Sequence, residues 1–139
     1  MKSIKQLSSS HLVVAVLLSA SLAFSSCKKD EHIPPNITFK TTAGYTSADA
    51  TVAQGDAILF GIDVQKTEDE LSTFDVSVSF DGGSASSIQT EAISGTEQDG
   101  FDRDVNVTTR NQAGTEKYTF TVTDRDGNIT QKSITLTVQ

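Results

Sequence analysis

"TFDVSVSF", Thr73–Phe80, decides the fold class. Phe74, Val76, Val78 and Phe80 fall on every second position, with polar residues between them. A period of two puts all four side chains on one face of a strand, whereas a helix would scatter them. The spacing therefore predicts that Val76 and Phe80 point into a core. The same alternation recurs on both sides. Ile37, Phe39 and Thr41 carry it, then Ile58, Phe60, Ile62 and Val64. Ile88, Thr90 and Ala92 carry it more weakly. Phe101, Val105 and Val107 follow, with Arg103 interrupting, then Tyr118, Phe120 and Val122, and last Ile134, Leu136 and Val138. These segments are rich in Thr, Val, Ile and Phe, which suit a half-buried pleated surface. No window shows a helical stripe. Leu71 after "KTEDE" could close one turn of helix at most.

Seven such segments within about 100 residues predict an all-β chain, folded as a single antiparallel β-sandwich of immunoglobulin-like architecture. It runs from residue 36 to residue 139. The turns between the strands have mechanisms. In Asp81-Gly82-Gly83 two glycines are free to take positive φ. Asp124-Arg125-Asp126-Gly127 fits a type I turn followed by a left-handed glycine.

"GTEKYTFTVTDRDGNITQKSITLTV", Gly114–Val138, resembles the final hairpin of bacterial Ig-like and PKD-like domains. There a Tyr opens the penultimate strand and an Asp-x-x-Gly-Asn turn leads into the last one. Tyr118, Asp124, Gly127 and Asn128 match. Gly114 stands four residues before Tyr118 where two is usual. Trp and the cysteine pair of antibody domains are absent.

Ahead of the sandwich the chain changes character. Lys2 and Lys5 precede the apolar run Leu12–Phe24, and the small residues Ser25 and Ser26 follow it. This is the layout of a secretory signal peptide over residues 1–26. The run is too short for a comfortable membrane span, which needs about 20 residues. Cys27 is the sole cysteine, so it has no internal disulfide partner. Phe24-Ser25-Ser26-Cys27 resembles a bacterial lipobox, with Phe where Leu is usual. That resemblance implies cleavage before Cys27, acylation of its sulfur and amine, and attachment to membrane lipid. Two or more acyl chains anchor a protein stably without a transmembrane helix. Residues 27–35 then form a charged tether that Pro34 and Pro35 stiffen. Within it Lys28, Lys29, Asp30 and Glu31 resemble the export signal of Bacteroidota surface lipoproteins. The address implied is the outer membrane, facing the cell surface.

The net charge is −7, and removing residues 1–26 deepens it to −9, because Lys2 and Lys5 leave and no acid does. So acidic a chain argues against a nucleic-acid partner.

Little in the sandwich carries catalysis. The only histidines are His11 and His32, both ahead of it. Nucleophilic triads and zinc sites built on His or Cys therefore have no residues to use. No catalytic residue, cofactor or metal is expected. Calcium would need oxygen ligands. "EQDGFDRD" offers Glu97, Asp99, Asp102 and Asp104, with Asp102 and Asp104 on one strand face. The plainer alternative is a solvated acidic edge that discourages strand pairing. "DRDGN" at Asp124 starts like an EF-hand loop, but Ile129 replaces the required glycine and Thr135 the required Glu. Among aromatics only Tyr45 lies off the core phase and off the expected structural corner at Tyr118, which makes it the one candidate ligand contact. The expected function is a lipid-anchored envelope module with a binding, adhesion or spacer role toward a protein or glycan. The alternatives are an accessory glycan-binding lipoprotein and, least favoured, a small hydrolase.

Overall fold

The computed structural model describes residues 31–139. Eight strands form: β1 Asn36–Phe39, β2 Ala50–Val52, β3 Ala57–Gln65, β4 Leu71–Phe80, β5 Ser86–Ala92, β6 Gly100–Thr108, β7 Gly114–Asp124 and β8 Ile129–Val138. They make a three-stranded sheet, β1-β3-β6, and a five-stranded sheet, β2-β8-β7-β4-β5. The two sheets face each other through aromatic pairs. Phe60 of β3 lies 5.2 Å from Tyr118 and 5.4 Å from Phe120 of β7, measured between ring centroids. Phe39 of β1 meets Phe120 at 5.4 Å, and Phe74 of β4 meets Phe101 of β6 at 5.5 Å. The fold is an immunoglobulin-like β-sandwich.

One pairing departs from the expectation of an antiparallel sandwich of about seven strands. β1 pairs with β3, and the chain then crosses to the other sheet, where β2 runs parallel to β8 with Thr51 opposite Thr137. Three residues, "ATV", are too few to show a period. The helical turn allowed for at "KTEDE" does not form. The helical turn among the described residues is a 3₁₀ turn at Gly95–Gln98.

The alternation in β4 holds for Phe74 and Val76, both fully buried, and for Val78. It fails at Phe80, which is 37% exposed rather than inside the core. Phe80 ends the strand, its cross-strand partner is Glu116, and Arg110 from the β6–β7 loop lies over its ring at 4.2 Å. At this end of the sheet a guanidinium covers the ring where the spacing predicted apolar packing.

β5 inverts its expected phase. Ile88 is exposed, while Gln89 and Glu91 are half-buried and Ile93, just past the strand, is buried. The cause is a bulge: Gln89 pairs with Val76 and Ser87 with Ser77, so Ile88 has no partner. Such a bulge on an edge strand also hinders edge-to-edge association. Across the open side of the sandwich Arg103, in the inward phase of β6, bridges to β5. Its Nε donates to Glu91 at 2.9 Å and its Nη2 to Glu97 at 2.8 Å. Its guanidinium lies 4.9 Å from the Phe101 ring. The residue that interrupts the β6 pattern is thus the clip between the two sheets.

Both turns form with local support. In the β7–β8 turn Gly127 has φ +90°. Asp124 Oδ1 accepts from the backbone N–H of Asp126 (3.0 Å) and Asn128 (2.8 Å), and Oδ2 from Asn128 Nδ2 (3.0 Å). In the β4–β5 turn the positive φ values fall on Asp81 (+52°) and Gly82 (+76°), not on two glycines. With Gly83 N–H bonded to Phe80 O at 2.8 Å, this is the type I′ pattern.

Candidate functional site

Two clusters of charged side chains and one groove stand out. The first lies on the outer face of the three-stranded sheet. Asp104 is paired with Gly61 and Asp102 with Asp63, and Lys40 joins the row by donating its N–H to Gly61 O at 2.8 Å. Lys40 Nζ sits 2.9 Å from Asp102 Oδ1 and 2.9 Å from Asp104 Oδ1. The Tyr45 hydroxyl donates to the Asp104 carboxylate at 3.0 Å. Gly61 makes this possible: a Cβ there would lie 2.6 Å from the Tyr45 ring and from Lys40 Cδ. The hydrogen bonds from Lys40 and then Tyr45 hold the Asp104 carboxyl below the usual range, and those same two aspartates hold the Lys40 ammonium protonated.

This geometry places the sequence candidates. Asp102 and Asp104 do share a face, and β6 is an edge strand, but a lysine ammonium already lies between them. Asp99 is bonded to Lys66, and Glu97 to Arg103. Among the described residues no three His, Cys, Asp or Glu side chains are placed to hold a metal ion. Tyr45 is half-buried, and both its ring and its hydroxyl are engaged. It latches the crossover between β1 and β2 onto the sheet.

The second cluster was not singled out in the sequence. Glu116 is fully buried on β7. Its Oε1 accepts from the Arg110 backbone N–H at 2.8 Å and from Arg110 Nε at 3.1 Å, and its Oε2 from the Tyr118 hydroxyl at 2.8 Å. Arg110 Nη2 continues to Asp81 Oδ2 at 3.1 Å, and Asp81 Oδ1 accepts from Thr115 N–H at 2.7 Å. The Thr115 bond, then Arg110, lowers the Asp81 carboxyl. Burial, then the Glu116 contact, raises the Tyr118 hydroxyl. The signal was present in the numbering: Glu116, Tyr118, Phe120, Val122 and Asp124 share one phase, so a carboxylate ends the buried row on each side.

The third feature is a groove of about 250 Å³ along the β2–β8 pair, lined by Asp49, Ala50, Thr51, Thr135 and Thr137. Asp49 Oδ1 accepts the N–H of Thr135 at 2.7 Å, so the groove's one charged group caps the strand edge.

Cys27, Lys28, Lys29 and Asp30 lie outside the described residues. Glu31 is described, and its N–H donates to the Glu68 carboxylate at 3.1 Å. Thr67 Oγ1 donates to Pro34 O at 2.9 Å, and Thr130 Oγ1 donates to Pro35 O. The end of the tether therefore rests on the β3–β4 loop and the start of β8.

No protein-family model matches the chain, and no curated protein does. Among solved structures it is similar to the CARDB domain of a Pyrococcus furiosus protein, determined in complex with di-metal ions. That likeness has 12% identity and a TM-score of 0.47, over 79% of this chain and 99% of that one. It is also similar to murine CRIg, with 13% identity and a TM-score of 0.42, over 76% of this chain and 98% of that one. Neither likeness is close enough to carry a function.

Proposed function

We propose that the chain is a lipid-anchored envelope module. In this reading acylated Cys27 holds it to the outer membrane, Lys28–Glu31 direct its export, and the immunoglobulin-like sandwich serves a binding, adhesion or spacer role at the cell surface. One observation carries the proposal: the lipobox-like Phe24–Cys27 follows a full signal-peptide pattern and leads, within a few residues, into a sandwich domain. The domain's own chemistry supports a non-catalytic role. A general acid at neutral pH needs a carboxyl raised in pKa within a cleft. Among the described residues, the carboxyls with shifted ionisation, Asp81, Glu97 and Asp104, are lowered by cations or hydrogen-bond donors. Tyr45, the aromatic on which the glycan-binding alternative rests, bonds through its hydroxyl to Asp104.

The test is Cys27→Ala in the full chain. The expected result is loss of labelling by a clickable palmitate and loss of processing by signal peptidase II. Labelling that continues unchanged in the variant overturns the proposal.

A further inference from the structure

The sandwich has two unlike ends. Glu31, Pro34 and Pro35 bond to Glu68, Thr67 and Thr130, which fixes the end where the chain enters. There the β3–β4 loop and the β7–β8 turn meet, with Arg125 Nη2 on Asp69 at 3.0 Å and the Arg125 N–H on Glu70 O at 2.8 Å. This end carries Glu68, Asp69, Glu70, Asp99 and Asp126 against Lys66 and Arg125, a net negative charge. At the far end Asp56 N–H donates to Thr109 Oγ1 at 2.9 Å, so the β2–β3 and β6–β7 loops join there. The nine residues of β3 separate the two ends by about 30 Å.

We propose, resting on the lipid-anchor reading above, that the domain stands end-on. Its acidic tether end is turned to the lipid headgroups, and the tip built by residues 53–56, 81–85 and 109–113 is presented outward. The tether fixes which end stays near the lipid. From Cys27 to Glu31 the chain reaches at most about 14 Å, so the entry end cannot move far from the surface.

The competing pose lays the domain flat on the outer face of its five-stranded sheet. That face is paved with hydroxyls, including Thr119, Thr121 and Ser133, and its lysine, Lys117, stands between Ser79 and Thr135. It offers neither the basic cluster nor the apolar stripe that holds a structure against a membrane. Ile33 and Ile129 are exposed at the tether end, each close in sequence to a carboxylate, Glu31 and Asp126, that resists entry into lipid.

The experiment uses the full acylated chain in vesicles of phosphatidylethanolamine and phosphatidylglycerol. Single Ser84→Cys, Ser133→Cys and Asp126→Cys variants report the tip, the sheet face and the tether end. Each is labelled with a bulky polyethylene glycol maleimide, and the rate is divided by that of the same variant in detergent, which removes differences in local reactivity and folding. End-on standing predicts fast labelling at Ser84→Cys and Ser133→Cys and several-fold slower labelling at Asp126→Cys. Slow labelling at Ser133→Cys to match Asp126→Cys is the flat pose and overturns the proposal. Equal rates at all three, with the protein retained on vesicles, overturn it as well. Failure of the protein to stay on the vesicles overturns the anchor reading instead.

Discussion

Tyr118 donates its hydroxyl hydrogen to Glu116 Oε2 at 2.8 Å, two positions away on the same buried face of β7. A carboxylate with no solvent exposure is costly unless its oxygens are bonded, and here Tyr118 and Arg110 between them supply three donors. The pair was easy to overlook, since in sequence Glu116 reads as one more acid in an acidic chain.

Tyr118→Phe removes one donor from a buried acceptor, and the expected loss is about 1–3 kcal/mol by urea unfolding. The pair also has a pH signature. Burial, then Glu116, raises the Tyr118 hydroxyl above its ordinary pKa of about 10, so the folded state holds that proton more tightly than the unfolded one. Its contribution to stability is complete below about pH 10 and is lost as pH rises through the raised folded value. The alkaline fall in stability should therefore be shallower in Tyr118→Phe than in the wild type. Equal slopes in the two proteins would contradict the buried pair.

Phe74 and Phe80 share a phase but not an environment. Phe74→Ala should cost about 3–5 kcal/mol, because a fully buried ring leaves a cavity. Phe80→Ala should cost less than half as much, since its ring is more than a third exposed and only Arg110 stacks on it. Chemical denaturation of the two variants side by side decides, and equal losses would place Phe80 in the core after all.

Gly61 is small because the Tyr45 ring needs the space. Gly61→Ala should destabilise by about 1–3 kcal/mol through overpacking. In a Tyr45→Ala background the same change should cost clearly less, because the ring it strikes is gone. A double-mutant cycle measures the coupling, and a coupling near zero would mean that the two residues do not constrain each other.

Asp104 has two partners, Lys40 and Tyr45, whereas Asp102 has Lys40 alone. Asp104→Asn should lower the thermal midpoint more than Asp102→Asn does. Because the Asp104 carboxyl is lowered in the folded state, its contribution is present above about pH 4 and is lost as pH falls through the depressed folded value. The difference between the variants should therefore shrink in acid. Melting curves in millimolar Ca²⁺ and in EDTA should coincide, since the Lys40 ammonium occupies the place a cation would take. An upward shift with Ca²⁺ that Asp102→Asn abolishes would show instead that calcium displaces it.

The sequence alone determined the fold class. Alternation is a property of local backbone geometry, so "TFDVSVSF", "ILFGIDV" and "YTFTVT" declare strands with one buried face wherever they later pack. The Asp124–Asn128 turn was legible for the same reason: its glycine and its side-chain caps act within five residues. What only tertiary structure decided depends on a second strand or sheet. A local period cannot reveal where one sheet stops covering another, so Phe80 read as core and proved half-open. It cannot reveal a bulge, which belongs to a pair of strands, so Ile88 was assigned to the wrong face. The parallel docking of β2 on β8, the Arg103 clip between sheets and the lysine between Asp102 and Asp104 join residues far apart in the chain. Their energies are those of contact and burial, and a linear pattern holds no record of which distant residues will meet.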